Sequence, residues 1–336
     1  MKFGLRLADW FGDVDNMMRL GILAEKNGFD SVWVSHDIFM RSSMVTLTTI
    51  AANTKRVLLG NTILNPYTTN PAEIATYLSS LDEFTKGRVL CGLSAGALNY
   101  LKWLGLEHRQ PLTKVKETVE ILRKLWEGNN AEYHGKEIDW SRECYMRFKQ
   151  YRPQIPIYIG GQGPKLLAYS GACGDGVLPI LYPPEFIDVA MQRMKAGAES
   201  VGRDFSEVDV AGCIWLSISK DGEIANEPLR TLIAYFGPML GELGLSTIGL
   251  SGKDFESLHE VWQDEGLIAA SKMVTDEMLD LAIRGTPDEC IQKIEMLEKK
   301  GLQHISIGSP LGPNPEESVK LLGKHVIPYF KAKDKN

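Results

Sequence analysis

The sequence predicts an α/β fold, a (β/α)8 TIM barrel with insertion segments at the carboxyl-terminal face of its strands. Strand-like apolar segments alternate with helical patterns at roughly 30-residue spacing, which is typical of parallel strands wrapped by helices. Four such units would also suit a doubly wound sheet, but the alternation continues, and eight parallel strands favour a closed barrel. The strand-like segments are residues 2–7, 31–35, 56–60, 88–93, 155–159, 176–180, 208–219 and 304–308.

The helical patterns between these segments have recognisable ends. In residues 14–27, apolar side chains such as Met17 and Leu23 recur at helical spacing, and Gly28 ends the pattern. Comparable patterns cover residues 44–54, 71–85 and 111–128. The sequence therefore predicts helices that connect parallel strands.

Two segments are longer than a βα unit requires. Residues 97–154 contain one clear helical pattern and then a polar, aromatic stretch, whereas residues 221–284 are predicted to be mostly helical. Insertions at the carboxyl ends of barrel strands commonly shape an active site, although decoration or subunit contact explains them equally well. Without an internal repeat, low-complexity tract or flexible linker, we interpret residues 1–336 as one domain.

Composition excludes several classes of function. Apolar residues make up 44% of the chain and charged residues 24%, as in soluble globular proteins with a sizeable core. The net charge of −6, without a basic block, argues against nucleic acid or anionic membrane as a partner. No segment approaches the roughly 20 apolar residues of a membrane span, and the first residues resemble a strand more than a signal peptide. A small-molecule substrate is therefore expected.

The cysteines point to a reducing compartment. None of the five forms a Cys-x-x-Cys pair, and several lie in apolar runs. Buried free thiols in the cytoplasm are the simplest account, and the spacing argues against a metal site.

The most informative stretch follows the fifth strand-like segment. It consists of Gly160, Gly161, Gln162, Gly163 and Pro164, and a helical pattern begins at the proline. Glycines let the backbone turn sharply close to a ligand, and the N–H groups and dipole of a helix start attract anions. The stretch thus predicts a phosphate cradle. The alternative is a tight turn that binds nothing, since no nucleotide-binding fingerprint matches.

Further candidates follow from the rule that barrels bind ligands at the carboxyl ends of their strands. His36 and Asp37 follow the second segment and are candidates for proton transfer, although Asp37 could equally cap the next helix. Arg6 lies in the apolar first segment, so we expect it to meet an anionic group of a substrate or cofactor. A salt bridge inside the barrel is the alternative.

Glycine recurs after the third, fourth, fifth and eighth segments. A flat ring pressed against the backbone would require such close approach, but tight turns alone would also explain it. The sequence lacks a Ser-His-Asp order, a His-Glu-x-x-His motif and a Walker-type phosphate loop. These features together suit a large cofactor that carries its own reactivity.

Motifs along essentially the whole chain resemble those of a known family. They are Gly28–Phe29–Asp30–Ser31–Val32, Asn65–Pro66–Tyr67–Thr68, Gly160–Gly161–Gln162–Gly163–Pro164, Gly285–Thr286–Pro287–Asp288–Glu289 and Ile307–Gly308–Ser309–Pro310–Leu311. The set is similar to that of the bacterial-luciferase-like barrels, and in particular to the methylenetetrahydromethanopterin reductases that use the deazaflavin coenzyme F420. The resemblance implies the barrel fold, the cytoplasm, and a homo-oligomer, either a dimer or a tetramer.

The resemblance also implies cofactor-binding residues. The glycine turn would hold the cofactor phosphate, and the turn Ser94, Ala95 and Gly96 would flank the ring and its side chain. The bond Thr62–Ile63 matches a non-proline cis peptide that backs the deazaflavin ring in this branch. Asn65 belongs to the motif that follows this bulge, and it completes the expected cofactor site.

Three positions depart from the pattern of the reductases. Arg6 stands where those proteins carry glutamate, Ala97 stands where they carry an acidic residue, and His36–Asp37 replaces the order Asp-His. Two acidic groups expected near the pterin are thus missing, and a cation is present instead. The comparison supports the fold and the cofactor class more strongly than the substrate.

The resemblance therefore implies an F420-dependent oxidoreductase that transfers a hydride between reduced deazaflavin and a small organic acceptor. A methylenetetrahydromethanopterin-like carrier of one-carbon units is the first choice of acceptor, with His36 or Asp37 as proton donor. A luciferase-like monooxygenase or reductase that uses flavin mononucleotide (FMN) is an alternative, because the phosphate cradle serves either cofactor. A non-catalytic cofactor-binding homologue is the second alternative.

Overall fold

Eight parallel strands close into a barrel in the computed structural model, which describes residues 1–96 and 98–333. The strands are β1 (Lys2–Leu7), β2 (Ser31–Ser35), β3 (Leu58–Thr62), β4 (Val89–Leu93), β5 (Ile157–Gly161), β6 (Gly176–Pro179), β7 (Asp209–Ile218) and β8 (His304–Leu311). Each strand pairs with the next in parallel, and β8 pairs with β1 to close the barrel. The predicted barrel is confirmed, and the doubly wound sheet is excluded.

Strand boundaries differ from the predicted ones by two or more residues at three places. Strand β3 and strand β5 each lie two residues later than the apolar segments at 56–60 and 155–159, and β8 continues to Leu311. Backbone pairing defines a strand, and it continues through small residues such as Asn61 and Gly160 that an apolar pattern does not recognise. The carboxyl ends of these strands therefore extend further into the site than the sequence suggested.

Eight helices surround the barrel. They are α1 (Val14–Lys26), α2 (Ser43–Asn53), α3 (Pro71–Thr85), α4 (Pro111–Trp126), α5 (Pro164–Cys173), α6 (Ile187–Glu199), α7 (Pro287–Lys299) and α8 (Pro315–Leu321). Local signals set their starts: the side chain of Asp13 caps α1, and Thr286 and Glu289 form a capping box at α7. A π-helical turn, Leu322–Val326, and a last helix, Ile327–Lys333, follow. No described helix has the length and apolarity needed to cross a bilayer.

The segment 97–154 crosses the outside of the barrel. It contains the short helix Leu98–Trp103, α4, and a small hairpin formed by Tyr133–His134 and Asp139–Trp140. Its end is anchored by Arg152, which donates two hydrogen bonds of 2.8 and 2.9 Å to the buried carboxylate of Asp82 in α3.

The segment 221–284 is helical, as predicted. Its helices are Asn226–Phe236, Glu242–Leu245, Glu256–Glu265, Leu267–Ser271 and Asp276–Leu279, and a short strand, Ile283–Gly285, then pairs with the end of β7. The helices enclose a second hydrophobic cluster that includes Leu229, Phe255 and Trp215 of β7. This segment therefore packs directly on the carboxyl end of the barrel.

A hydrogen-bonded chain fills the amino-terminal half of the barrel interior. Trp33 packs edge-on against Tyr158, and its Nε1 donates to Ser31 Oγ over 2.9 Å. Ser31 Oγ lies 3.2 Å from Nε2 of the buried His304, whose Nδ1 lies 3.0 Å from Asp209 Oδ2. The carboxylate of Asp209 only accepts, so Nδ1 of His304 donates to it. In this neutral tautomer Nε2 accepts from the Ser31 hydroxyl. The barrel is thus plugged below the site.

Candidate active site

A cavity of about 1020 Å³ lies at the carboxyl ends of the strands. All eight strands or the turns after them contribute to its wall, and so do both inserted segments. The cavity contains every residue predicted for the site except Asn65. Those residues are Arg6, His36, Asp37, Thr62, Ile63, Ser94, Ala95, Gly96, Gly160, Gly161, Gln162, Gly163 and Pro164.

The bulge after β3 forms one wall. The Thr62–Ile63 peptide bond is cis, as the resemblance implies. A Cβ atom on Gly160 would lie 2.9 Å from Ile63 Cγ2, so this glycine leaves room for the isoleucine side chain. This glycine of β5 thus makes room for a side chain that follows β3, two strands away in the barrel. Thr62 Oγ1 is buried and has no hydrogen-bond partner among the described residues.

Asn65 lies behind this wall. Its Oδ1 accepts a hydrogen bond of 3.0 Å from the backbone of Tyr67, and its Nδ2 would lie 2.1 Å from a Cβ atom on Gly96. Gly96 has a φ of 71°, which favours glycine. In this position Asn65 supports the turn 94–96, and direct contact of Asn65 with a cofactor stays a prediction. Ala97, the third departure noted in the sequence, lies outside the described residues.

The glycine turn after β5 leads into the start of α5, as predicted. Gly163 is the N-cap residue and Pro164 is the first helical residue. Because glycine has no side chain, no N-cap side chain accepts a hydrogen bond from the backbone N–H groups at the helix start. Gln162 reaches towards the inserted segment, where a Cβ atom on Gly244 would lie 2.6 Å from its Nε2. That Nε2 is buried without a partner among the described residues. An open helix start of this kind binds anions.

His36 and Asp37 both line the cavity. The backbone N of His36 donates to Thr62 O over 3.1 Å, and its Nδ1 lies 3.0 Å from Ser43 Oγ. Burial lowers the pKa of His36, so the ring is neutral at pH 7. Burial raises the pKa of Asp37, whose Oδ1 accepts from the backbone N of Ile38 over 2.8 Å. Since α2 starts after Ser42, Asp37 does not cap that helix.

Arg6 crosses the floor of the cavity. A Cβ atom on Gly308 would lie 2.2 Å from Arg6 Nη2, so glycine at this position of β8 leaves space for the guanidinium. The guanidinium lies 5.5 Å from the ring centroid of Tyr182, and Cys213 lines the same cavity. Within residues 1–96 and 98–333, no carboxylate forms an ion pair with it. The alternative of a salt bridge inside the barrel therefore receives no support.

The sequence did not identify the aromatic part of the cavity wall. Tyr182 stacks on Trp215 with ring centroids 4.1 Å apart and planes 12° from parallel, and Phe236 of the inserted segment lies against Trp215. Cys213 and Trp215 are two residues apart in β7, which places both on its inner face. The spacing of two residues in the sequence indicates that Cys213 and Trp215 share one face of the strand. Only the position of the strand in the barrel shows that this face is the inner one.

His108 is a second residue that the sequence did not identify. It lies in the turn before α4, packs against Tyr67 with ring centroids 5.4 Å apart, and lines the cavity. Its Nε2 is buried, with no partner in the described part of the chain. In that same part, no group of three or more His, Cys, Asp or Glu side chains is arranged to hold a metal ion.

Comparison with known proteins agrees with this geometry. The family model described as luciferase-like monooxygenase matches residues 5–304. Proteins named 5,10-methylenetetrahydromethanopterin reductase are 36% identical in Methanolobus tindarius, over 91% of this chain and 93% of the relative, and 34% identical in Archaeoglobus fulgidus, over 92% and 94%. The solved structure of a coenzyme F420-dependent tetrahydromethanopterin reductase from Methanopyrus kandleri superposes with a TM-score of 0.92, at 29% identity, covering 98% of this chain and 99% of the other.

The similarity extends over nearly the full length of both this chain and its relatives, which confirms the resemblance derived from the motifs. The match includes the barrel strands and both inserted segments, because coverage of the superposed structure is nearly complete. The chain belongs to the luciferase-like monooxygenase family, among the relatives named 5,10-methylenetetrahydromethanopterin reductase.

Proposed function

We propose that this protein is an oxidoreductase that uses coenzyme F420 to transfer a hydride to or from a small organic acceptor. The observation that carries the proposal is the open start of α5 next to the cis bulge at Thr62–Ile63, on one wall of a large apolar cavity. The names of the relatives, which specify F420 or a methanopterin substrate, support the same assignment.

The residues present fit such a cofactor. Three buried polar atoms in the cavity wall lack partners among the described residues, and buried polar atoms are normally satisfied by protein, water or ligand. They are Thr62 Oγ1, His108 Nε2 and Gln162 Nε2. The start of α5, with Lys165 beside it, would hold the phosphate, and residues 62–63 and 94–96 would contact the ring. When bound, the deazaflavin supplies the hydride chemistry.

The chain itself would orient the acceptor, exclude water and move a proton. The stacked rings of Tyr182 and Trp215 form an apolar wall against which an acceptor ring can pack. We assign His36 as the proton donor when the acceptor is reduced and as the proton acceptor in the reverse reaction. Asp37 is the second candidate for this role. A methylenetetrahydromethanopterin-like carrier is the first acceptor to test, because relatives carry that name.

The cofactor assignment predicts selective binding. Titration of the protein with F420, followed by absorption and fluorescence, is expected to saturate, whereas FMN should bind weakly or not at all. Tight binding of FMN without binding of F420 would contradict the proposal and favour the monooxygenase alternative. Binding of F420 without hydride transfer to any acceptor would favour the non-catalytic alternative.

A substitution at the N-cap of α5 tests the phosphate site. An added Cβ at Gly163 meets nothing within 4 Å, and its φ of −66° suits any residue. Gly163→Asp would cap the helix with its own carboxylate and compete with a phosphate, so we expect F420 affinity to fall about tenfold or more. Gly163→Ala is the matched control and should retain binding within about threefold. Equal affinities of both variants would show that the phosphate binds elsewhere.

We further propose that the chain acts as one domain, in the cytoplasm, and as a homo-oligomer. The five free cysteines support a reducing compartment. Light scattering coupled to size-exclusion chromatography would give the number of subunits, and a monomeric mass at micromolar concentration would refute the assembly.

A further inference from the structure

The floor of the cavity holds a positive charge that no carboxylate within residues 1–96 and 98–333 neutralises. Arg6 shares the cavity wall with Tyr182 and Cys213, and neither of these side chains carries a charge near neutral pH. Burial raises the pKa of Tyr182 to about 12, in spite of the nearby Arg6, and burial likewise raises the pKa of Cys213. The arginine itself remains protonated, because a guanidinium does not lose its proton in proteins near neutral pH.

The carboxylates that share the cavity wall are occupied elsewhere. Asp9 pairs with Arg41 at 3.4 Å, and Asp37 accepts from the backbone of Ile38. In the described residues, therefore, the guanidinium in the barrel mouth has an aromatic neighbour but no counter-charge. A cation removed from bulk water without a counter-charge is costly, and such sites are normally completed by an anion.

The geometry also orients this cation towards a ligand. Tyr182 is stacked on Trp215, and the guanidinium lies 5.5 Å from the centroid of the Tyr182 ring, so the two rings and the cation line the same part of the cavity. A planar anion with an apolar body would place its charge at Arg6 and its body on the two rings. Guanidinium groups bind carboxylates through two parallel hydrogen bonds, which favours a carboxylate over a spherical ion.

We propose that the acceptor reduced by this protein carries a carboxylate, or a similar planar anionic group, that Arg6 binds at the cavity floor. This inference rests on the proposed function and specifies its substrate class. The anionic group is bound and is not itself changed in the reaction. Arg6 would repel a positive charge that developed on the acceptor at the cavity floor. The proposal therefore excludes acceptors that become positively charged at that position.

The test compares benzoate with benzamide, which share a ring and differ in charge. Titration calorimetry should show about 10- to 100-fold tighter binding of benzoate, both with and without saturating F420. Arg6→Met keeps the length of the side chain and should abolish this preference, while Arg6→Lys should retain part of it. Arg19→Met, on the outer face of α1 where Arg19 pairs with Asp15, should leave the preference intact.

A second measurement does not depend on folded variants. Phenylglyoxal modifies accessible arginines, and peptide mass spectrometry reads the modification of Arg6 in the wild-type protein. Benzoate should slow this modification several-fold, and benzamide at the same concentration should not.

Three results would overturn the proposal: equal affinities of benzoate and benzamide, a preference that survives in Arg6→Met, or competition between benzoate and F420. Competition would mean that the anion at Arg6 belongs to the cofactor. If F420 fails to bind while the Arg6-dependent preference persists, the proposed cofactor is wrong and the anion site at Arg6 is supported. The two failures are therefore distinguishable.

Discussion

Replacement of His36 by alanine is expected to lower kcat roughly 100- to 10,000-fold, the range for loss of a positioned proton donor. His36 lines the cavity, its backbone N is bonded to Thr62 O at the cis bulge, and its Nδ1 lies 3.0 Å from Ser43 Oγ. These contacts fix the ring and leave Nε2 as the nitrogen that can exchange a proton with a substrate. Steady-state kinetics with F420 and a working acceptor would measure the loss, and KM should change much less.

The pH dependence of kcat gives an independent check. Burial lowers the pKa of His36 below its ordinary value near 6.5. Reduction of the acceptor consumes a proton, so the protonated ring is the active form and kcat should fall as pH rises through a value below 6.5. In the oxidative direction the neutral ring is required, and kcat should rise through the same value. Both limbs should disappear in His36→Ala.

Two further variants separate His36 from its neighbours. Ser43→Ala removes only the contact at Nδ1, and we expect a loss of about tenfold or less, the value of a single neutral hydrogen bond. Asp37→Asn removes the second candidate. If Asp37→Asn abolishes the pH limb and His36→Ala retains activity within threefold, the proton donor is Asp37 and the assignment to His36 is wrong.

The fold could be predicted because its signals are local. Helix caps such as Asp13 and stop signals such as Gly28 act within one turn, and apolar strand segments act within five residues. The ends of β3 and β5 were less certain, because Asn61 and Gly160 enter the barrel through backbone pairing with neighbours that the sequence does not identify.

The site was predicted only where it follows directly from strand order. The turn at 160–164 and the pair His36–Asp37 come immediately after strands, so barrel geometry places them at the cavity. The stack of Tyr182 on Trp215 and the position of His108 depend on the path of loops and inserted segments. For Arg6, the sequence left a ligand and a buried salt bridge as alternatives, because the choice depends on which side chains surround it in three dimensions.

A second large effect is expected at the opposite end of the barrel, where Asp209 anchors the interior hydrogen-bonded chain. Its Oδ2 accepts from Tyr158 OH over 2.6 Å and from Nδ1 of His304 over 3.0 Å, and Lys2 Nζ lies 3.4 Å away. Asp209→Ala would leave two buried donors without an acceptor, at roughly 1–3 kcal/mol each. We expect the free energy of unfolding to fall by about 3 kcal/mol, measured by urea denaturation at pH 7.

The contribution of Asp209 should depend on pH in a defined direction. Burial acts to raise the pKa of Asp209, but the hydrogen bonds from His304 and Tyr158 and the charge of Lys2 lower it well below its ordinary value of 3.8. A depressed pKa in the folded state gives stability that is fully present above the unfolded pKa and is lost as pH falls towards the folded one. The difference in the free energy of unfolding between wild type and Asp209→Ala should thus be constant from pH 7 to pH 5 and shrink below pH 4.

Asp209→Asn tests whether the charge or only the acceptor matters. The amide keeps the size of the side chain and one oxygen that can accept both hydrogen bonds, as Oδ2 of the carboxylate does, so the substitution mainly removes the negative charge. The loss of unfolding free energy in Asp209→Asn should lie between zero and the loss in Asp209→Ala. Like the loss in the alanine variant, it should become smaller at acid pH. If the free energy of unfolding of Asp209→Ala lies within about 0.5 kcal/mol of the wild-type value at pH 7, water accepts the hydrogen bonds of Tyr158 and His304 in the variant. The plug would then be held by apolar packing of Trp33 and Tyr158 alone.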